Sequence, residues 1–239
     1  MIGAQRSGTT WFTGLLTQHP EVSLVGGLDK APFMTPSLVT GTFDGFDESY
    51  LGRFRDVAGK VGECAAAYLR CSWVPPIARR LCSPDVVLVV LLRDPVERFA
   101  SAMRMKLSRT GPSPQDGITE LHRWSRLHGP DAQWGGMYAT QLAAWEAAFE
   151  RRHLIVLQYE RVASRPAQAV SQVWSELDLD DIPIEGTDTP SASSSPPTEP
   201  WSWDLLPGFR ETLIEMYRPE VRRLQQHWNI DPRLWPNYS

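Results

Sequence analysis

The residues most able to do chemistry in this chain of 239 residues begin with Gly3-Ala-Gln-Arg-Ser-Gly-Thr-Thr-Trp11. Two glycines, small hydroxyl residues and one arginine form a loop that turns backbone N–H groups inward. The helix that the pattern predicts over Thr9 to Gln18 adds its positive N-terminal end, and both features favour a bound phosphate. Set beside the nucleotide loop G-x-x-x-x-G-K-[ST], the chain keeps both glycines and the final hydroxyl. It places Thr9 where the lysine would stand. A loop without the lysine that reaches the β- and γ-phosphates suits holding a phosphate better than hydrolysing a nucleoside triphosphate. The plain alternative is a polar turn that caps a helix.

Glu63 is the second candidate. It sits among Val61, Ala65, Ala66 and Ala67, and burial among apolar neighbours raises a carboxyl's pKa, which suits a general base near neutrality. The competing reading pairs it with an arginine such as Arg6. Arg93 is the third, directly after an aliphatic run, where it either meets an anion or pairs with Asp94 or Glu97. Lys30 is either a ligand contact or a solvated loop lysine. His19, beside Pro20 at a predicted helix end, reads as structural, and His122 and His128 read as surface residues of a helix.

These residues need elements to hold them. Val86-Val-Leu-Val-Val-Leu-Leu92 is continuously aliphatic, the mark of a parallel strand buried on both faces. Short strands are predicted over Glu21 to Val25, Val61 to Ala65 and Leu154 to Gln158. Helices are expected over Asp47–Val57, Ser72–Cys82, from Pro95, Gly117–His128 (Leu121, Trp124 and Leu127 inward), Met137–Arg151, Pro166–Leu177 and Pro207–Trp228. The last is interrupted or kinked at Pro219. Strand–helix alternation predicts a three-layer α/β domain with a mainly parallel sheet flanked by helices, one domain over residues 1–239. Within it, residues 108–136 read as an insert on the acceptor side and 182–203 as a mobile loop.

The loop and Leu91-Leu-Arg-Asp-Pro-Val-Glu-Arg-Phe-Ala-Ser101 together resemble the sulfotransferases that use 3′-phosphoadenosine 5′-phosphosulfate (PAPS). The likeness is closer to the branch of heparan sulfate sulfotransferases and small bacterial relatives. Gly62-Glu-Cys-Ala-Ala-Ala-Tyr68, Met137-Tyr-Ala-Thr-Gln-Leu-Ala-Ala-Trp145 and Leu157-Gln-Tyr-Glu-Arg-Val162 extend it in order. The resemblance implies a P-loop-like sulfotransferase fold and PAPS as co-substrate, with 3′-phosphoadenosine 5′-phosphate as product. It implies that Ser7, Gly8, Thr9 and Thr10 hold the 5′-phosphate and that Arg6 neutralises charge on the leaving oxygen. By the same likeness Arg93 and Ser101 hold the 3′-phosphate, Trp11 stacks on adenine or joins the core, and Glu63 is the base. Cys64 stands where relatives carry lysine, and the basic lid of relatives is absent, leaving Trp201-Ser-Trp203 in its place. A small-molecule kinase, or an inactive nucleotide-binding protein of the same fold, is the alternative reading.

Composition narrows the partners. Lys plus Arg number 24 against 28 acids, a net charge of −4, which argues against a general nucleic-acid or anionic-membrane binder. Cys64, Cys71 and Cys82 form no C-x-x-C pair and read as reduced thiols in a cytoplasmic protein. No apolar leader is visible at the start, and no residue cluster calls for a metal. A carbohydrate or small-molecule acceptor is expected.

Overall fold

The structure, a computed structural model, describes residues 1–25, 46–188 and 207–239. Lys30, residues 189–203 of the expected mobile loop and with them the Trp201–Trp203 segment lie outside them. In chain order the elements are α1 (Thr9–Leu16), β1 (Val22–Leu24), α2 (Phe46–Gly52), β2 (Lys60–Gly62), α3 (Val74–Leu81) and β3 (Leu88–Leu92). Then come α4 (Pro95–Thr110), α5 (Gly117–Trp134), α6 (Tyr138–Ala148), β4 (Leu154–Gln158), α7 (Tyr159–Ser164), α8 (Pro166–Glu176) and α9 (Pro207–Trp228). The chain divides into two compact units, Met1–Leu92 with Thr140–Asp188, and Arg93–Ala139 with Thr189–Ser239.

In the first unit the strands pair in parallel. β3 lies along β4 from Leu88 opposite Leu154 to Leu92 opposite Gln158, and β1 lies along β2 from Val22 opposite Lys60 to Leu24 opposite Gly62. All five residues of β3 are buried, as a continuous aliphatic run requires. Residues 1–4 run beside β3. Ile2 N donates to Val89 O at 3.0 Å, Leu91 N to Gly3 O at 2.8 Å and Ala4 N to Leu91 O at 2.9 Å. On their other side, Ala65 N donates to Met1 O at 3.0 Å and Leu69 N to Ile2 O at 2.8 Å. The short stretch before the glycine loop is thereby held between β3 and the segment that follows β2. Phe12 and Leu15 of α1 meet Val89 and Leu91 of β3 and Val170 and Trp174 of α8 in one core. The Trp174 indole donates to Leu16 O at 3.2 Å and lies edge-on to buried His19 at 5.1 Å.

In the second unit, α4 starts at a buried cap. Asp94 accepts from Val96 N at 2.9 Å and Glu97 N at 3.3 Å, with Pro95 in the first turn, where a missing N–H costs nothing. Gly135 and Gly136 follow the end of α5, and side chains crowd both: a Cβ at Gly135 would lie 2.5 Å from Arg98 and one at Gly136 2.7 Å from Tyr217. The space they leave lets Arg98, 2% exposed, donate to Ala132 O, and Tyr217 donate to Gln133 O at 2.9 Å.

Several expectations shift. α2 ends at Gly52 instead of Val57, and β2 ends before Glu63. α9 runs through Pro219 as one helix. Leu127 is 73% exposed, not inward. The buried residues of α5 are Trp124 and Ala132, and Leu127 lies about 100° around the helix from the line they define.

Candidate active site

The loop leaves the short stretch beside β3 and turns into α1 through two left-handed residues, Arg6 (φ 70) and Gly8 (φ 82). Glycine is required at the second. A Cβ on Gly8 would come within 2.7 Å of the Tyr159 ring, at a φ that other residues adopt only with strain. Gly3 is equally confined, since a Cβ there would lie 2.5 Å from Cβ of Leu69. Gly8 is the N-cap of α1, and having no side chain it supplies no capping bond. The first N–H groups of a helix have no partner within it, so an uncapped end directs them at whatever lies ahead. Ser7 N–H is committed to Ala4 O at 3.2 Å; the Gly8, Thr9 and Thr10 amides begin the helix. Ser7 is fully buried, and its hydroxyl makes no hydrogen bond among the described residues. Thr9 is buried, Thr10 half-buried and Arg6 exposed. Trp11 packs against the hydrophobic core and edge-on to Tyr159, with ring centroids 6.3 Å apart.

Glu63 is the first residue beyond β2, and its backbone is fixed close to the loop. Met1 N donates to Glu63 O at 2.9 Å, and the next residue, Cys64, accepts a bond from Thr13 of α1 at 3.4 Å. Its partner is not Arg6. Tyr50 donates its hydroxyl to Glu63 Oε1 at 3.2 Å, while Oε2 is buried and takes no hydrogen bond among the described residues. Burial pushes the Glu63 carboxyl above the usual carboxylate range. The Tyr68 and Tyr50 hydroxyls, the Met1 ammonium and Arg53 pull the other way without cancelling it. Burial and the charge of Glu63 in turn push the Cys82 thiol up to about 11.

Arg93 and Ser101 belong to the second unit. Arg93 is the residue after β3, half-buried, and its carbonyl accepts from Tyr138 at 3.1 Å. Its charge also reaches Glu97 and helps to hold that carboxyl below its ordinary range. Asp94 Oδ2 accepts from Asn237 N at 3.0 Å and Asn237 Nδ2 at 2.9 Å, and Glu97 accepts from Arg210 at 2.6 Å. Ser101 is buried on α4.

The family model described as "Sulfotransferase domain" matches residues 1–181. The chain belongs to the sulfotransferase family. Over 190 residues it is 28% identical to heparan sulfate glucosamine 3-O-sulfotransferase 6 of Mus musculus, covering 75% of this chain and 51% of that one. Over 192 residues it is 28% identical to heparan sulfate glucosamine 3-O-sulfotransferase 3B1 of Homo sapiens, covering 75% and 45%. The chain spans about half the length of the curated relatives it matches. A solved sulfotransferase from Alicyclobacillus acidocaldarius superposes with a TM-score of 0.72 over 97% of this chain and 95% of that one, at 22% identity, which shows a shared fold.

Within this sulfotransferase-family chain, the first unit brings Ser7 to Trp11 and Glu63 together around one short backbone stretch. Two contributors escaped sequence reasoning. Tyr50 falls within the helix expected over Asp47–Val57, and Tyr68 closes a motif match that assigns it no role. The readable signal was slight: a tyrosine five residues past an acid. Asn237, which holds Asp94, carries no local signal at all. His128 is half-buried and tilted against Trp124 at 4.8 Å, whereas His122 is exposed.

Proposed function

We propose that this chain transfers a sulfuryl group from PAPS to a hydroxyl or amine of a carbohydrate or small-molecule acceptor. One observation carries the reading: a single compact unit holds both a helix start that follows a left-handed glycine turn and a half-buried carboxyl with a raised pKa. The first suits a phosphate, the second a proton acceptor, and the family match covers both. The carbohydrate acceptor is suggested by the heparan sulfate relatives.

PAPS would supply the activated sulfuryl group on its 5′-phosphate. The amides of Gly8 to Thr10 and the Thr10 hydroxyl hold that phosphate, with Ser7 and Thr9 shaping the turn beneath it. Glu63 takes the acceptor's proton as the acceptor atom bonds to sulfur. The sulfur–oxygen bond to the 5′-phosphate breaks, and its electron pair stays on the phosphate oxygen. Arg6 and the helix start meet that charge, so catalysis is positioning plus electrostatics. Arg93 and Ser101 are assigned by motif to the 3′-phosphate, which a planar guanidinium can grip bidentately. The packing of Trp11 favours a core role over adenine stacking.

Radiolabelled PAPS offered with heparan sulfate, its desulfated form, phenols and primary alcohols tests the reaction. In thermal-shift measurements 3′-phosphoadenosine 5′-phosphate should stabilise the protein and ATP should not. Equal shifts, or none, defeat the reading.

A further inference from the structure

The two oxygens of Glu63 have different surroundings. Oε1 accepts from the Tyr50 hydroxyl at 3.2 Å, and Oε2 is buried with no hydrogen bond among the described residues. Groups face this carboxyl from several elements: Tyr50 from α2, Arg53 from the turn after it, Tyr68 from the 3₁₀ turn Tyr68–Arg70, Cys82 from the end of α3, and the Met1 ammonium. Tyr50 is 6% exposed and its ring is tilted against Phe54 at 5.1 Å, which limits where its hydroxyl can point. Burial first, then the Glu63 charge, pushes the Tyr50 phenol far above its ordinary value. It therefore stays protonated and remains a donor wherever the enzyme works.

We propose that Tyr50, beside the Tyr68 hydroxyl, is a positioning residue of Glu63: it holds Oε1 and leaves Oε2 as the atom that receives the acceptor's proton. The inference rests on the reading of Glu63 as the base. A desolvated carboxyl tends to keep its proton and is then no base at all. A neutral donor to one oxygen favours the anion without occupying the other, and adds to the smaller pull of the Met1 ammonium and Arg53.

The test uses the whole chain without substrate, labelled with carbon-13 at the glutamate carboxyl, and follows the Glu63 resonance with pH. The resonance is assigned by its loss in Glu63→Gln. Tyr50→Phe should raise the titration midpoint by about one pH unit, the scale of one hydrogen bond to a charged group. Replacing Tyr50 with 3-fluorotyrosine, a stronger donor of nearly the same shape, should lower it. The fluorinated protein also carries the test if Tyr50→Phe fails to fold. Melting temperature and affinity for 3′-phosphoadenosine 5′-phosphate should stay near wild type in both. A midpoint unmoved by either change overturns the proposal, and so does a shift of the same sign in both, which would report packing and not the hydroxyl. Turnover of Glu63→Gln with PAPS and heparan sulfate is read separately. Retained turnover removes the base, and with it the role given to Oε2, whereas a shifted midpoint beside lost turnover supports both.

Discussion

Gly8→Ala tests the loop most directly, because two independent costs meet at one atom. Holding alanine at φ 82 costs roughly 1–2 kcal/mol from the clash of Cβ with the carbonyl. The new Cβ would also stand 2.7 Å from Cε2 and 2.9 Å from Cδ2 of Tyr159, and forcing a methyl into a packed site costs about 1–3 kcal/mol. The sum, roughly 2–5 kcal/mol, corresponds to a fall in melting temperature of ~4–20 °C for a chain of this size. Differential scanning calorimetry reads it. Gly14→Ala is the matched control, in the same helix with nothing within 4 Å of the added Cβ, and should gain up to ~1 kcal/mol from helix propensity. Combining Gly8→Ala with Tyr159→Leu should recover the packing part and leave the torsional part. Nucleotide affinity should fall in Gly8→Ala, since the turn aims the amides of α1. A Gly8→Ala protein that melts and binds like wild type refutes the reasoning.

Glu63→Gln should lower turnover by about 10²–10⁴ while affinity for 3′-phosphoadenosine 5′-phosphate holds, read by single-turnover kinetics and calorimetry. The folded-state pKa of Glu63 is raised, so the stability this group adds is present in acid and lost as pH rises through the raised value; Glu63→Gln should flatten that decline in a series of melting curves. Arg93→Ala should weaken 3′-phosphoadenosine 5′-phosphate by roughly 1.5–3 kcal/mol but leave adenosine 5′-phosphosulfate, which lacks the 3′-phosphate, unaffected; equal losses would remove the assignment. Asp94→Ala removes a helix cap and strands the two Asn237 donors, and should cost ~2–4 kcal/mol in urea unfolding. Glu97 feels burial, which raises its pKa, but its bonds from Arg210 and Asn237 prevail and lower it. Stability from this group is therefore present above the ordinary glutamate range and lost as pH falls, and Arg210→Ala should weaken that acid dependence.

The elements that carry the site were legible wherever the signal is local. The aliphatic run Val86 to Leu92 made a strand buried on both faces readable, of which Leu88–Leu92 is β3, and Leu154 to Gln158 is β4 residue for residue. The glycine spacing of the loop announced a helix start, and Pro95 announced another. Periodicity, turn chemistry and caps act over a few residues, so sequence alone determines them. It also determined the family, because two motifs in a fixed order carry more information than either does alone. Tertiary structure decided what lies opposite each side chain. Glu63 meets Tyr50 from 13 positions upstream instead of Arg6, Cys64 lies beneath Thr13, and Asp94 is held by Asn237 from 143 positions away. Leu127 shows the same limit, since the hydrophobic stripe suggested an inward face and the packing of Trp124 and Ala132 turned it outward. Backbone pattern follows from neighbours in the chain, whereas a carboxyl's proton affinity depends on desolvation and donors that only packing brings together.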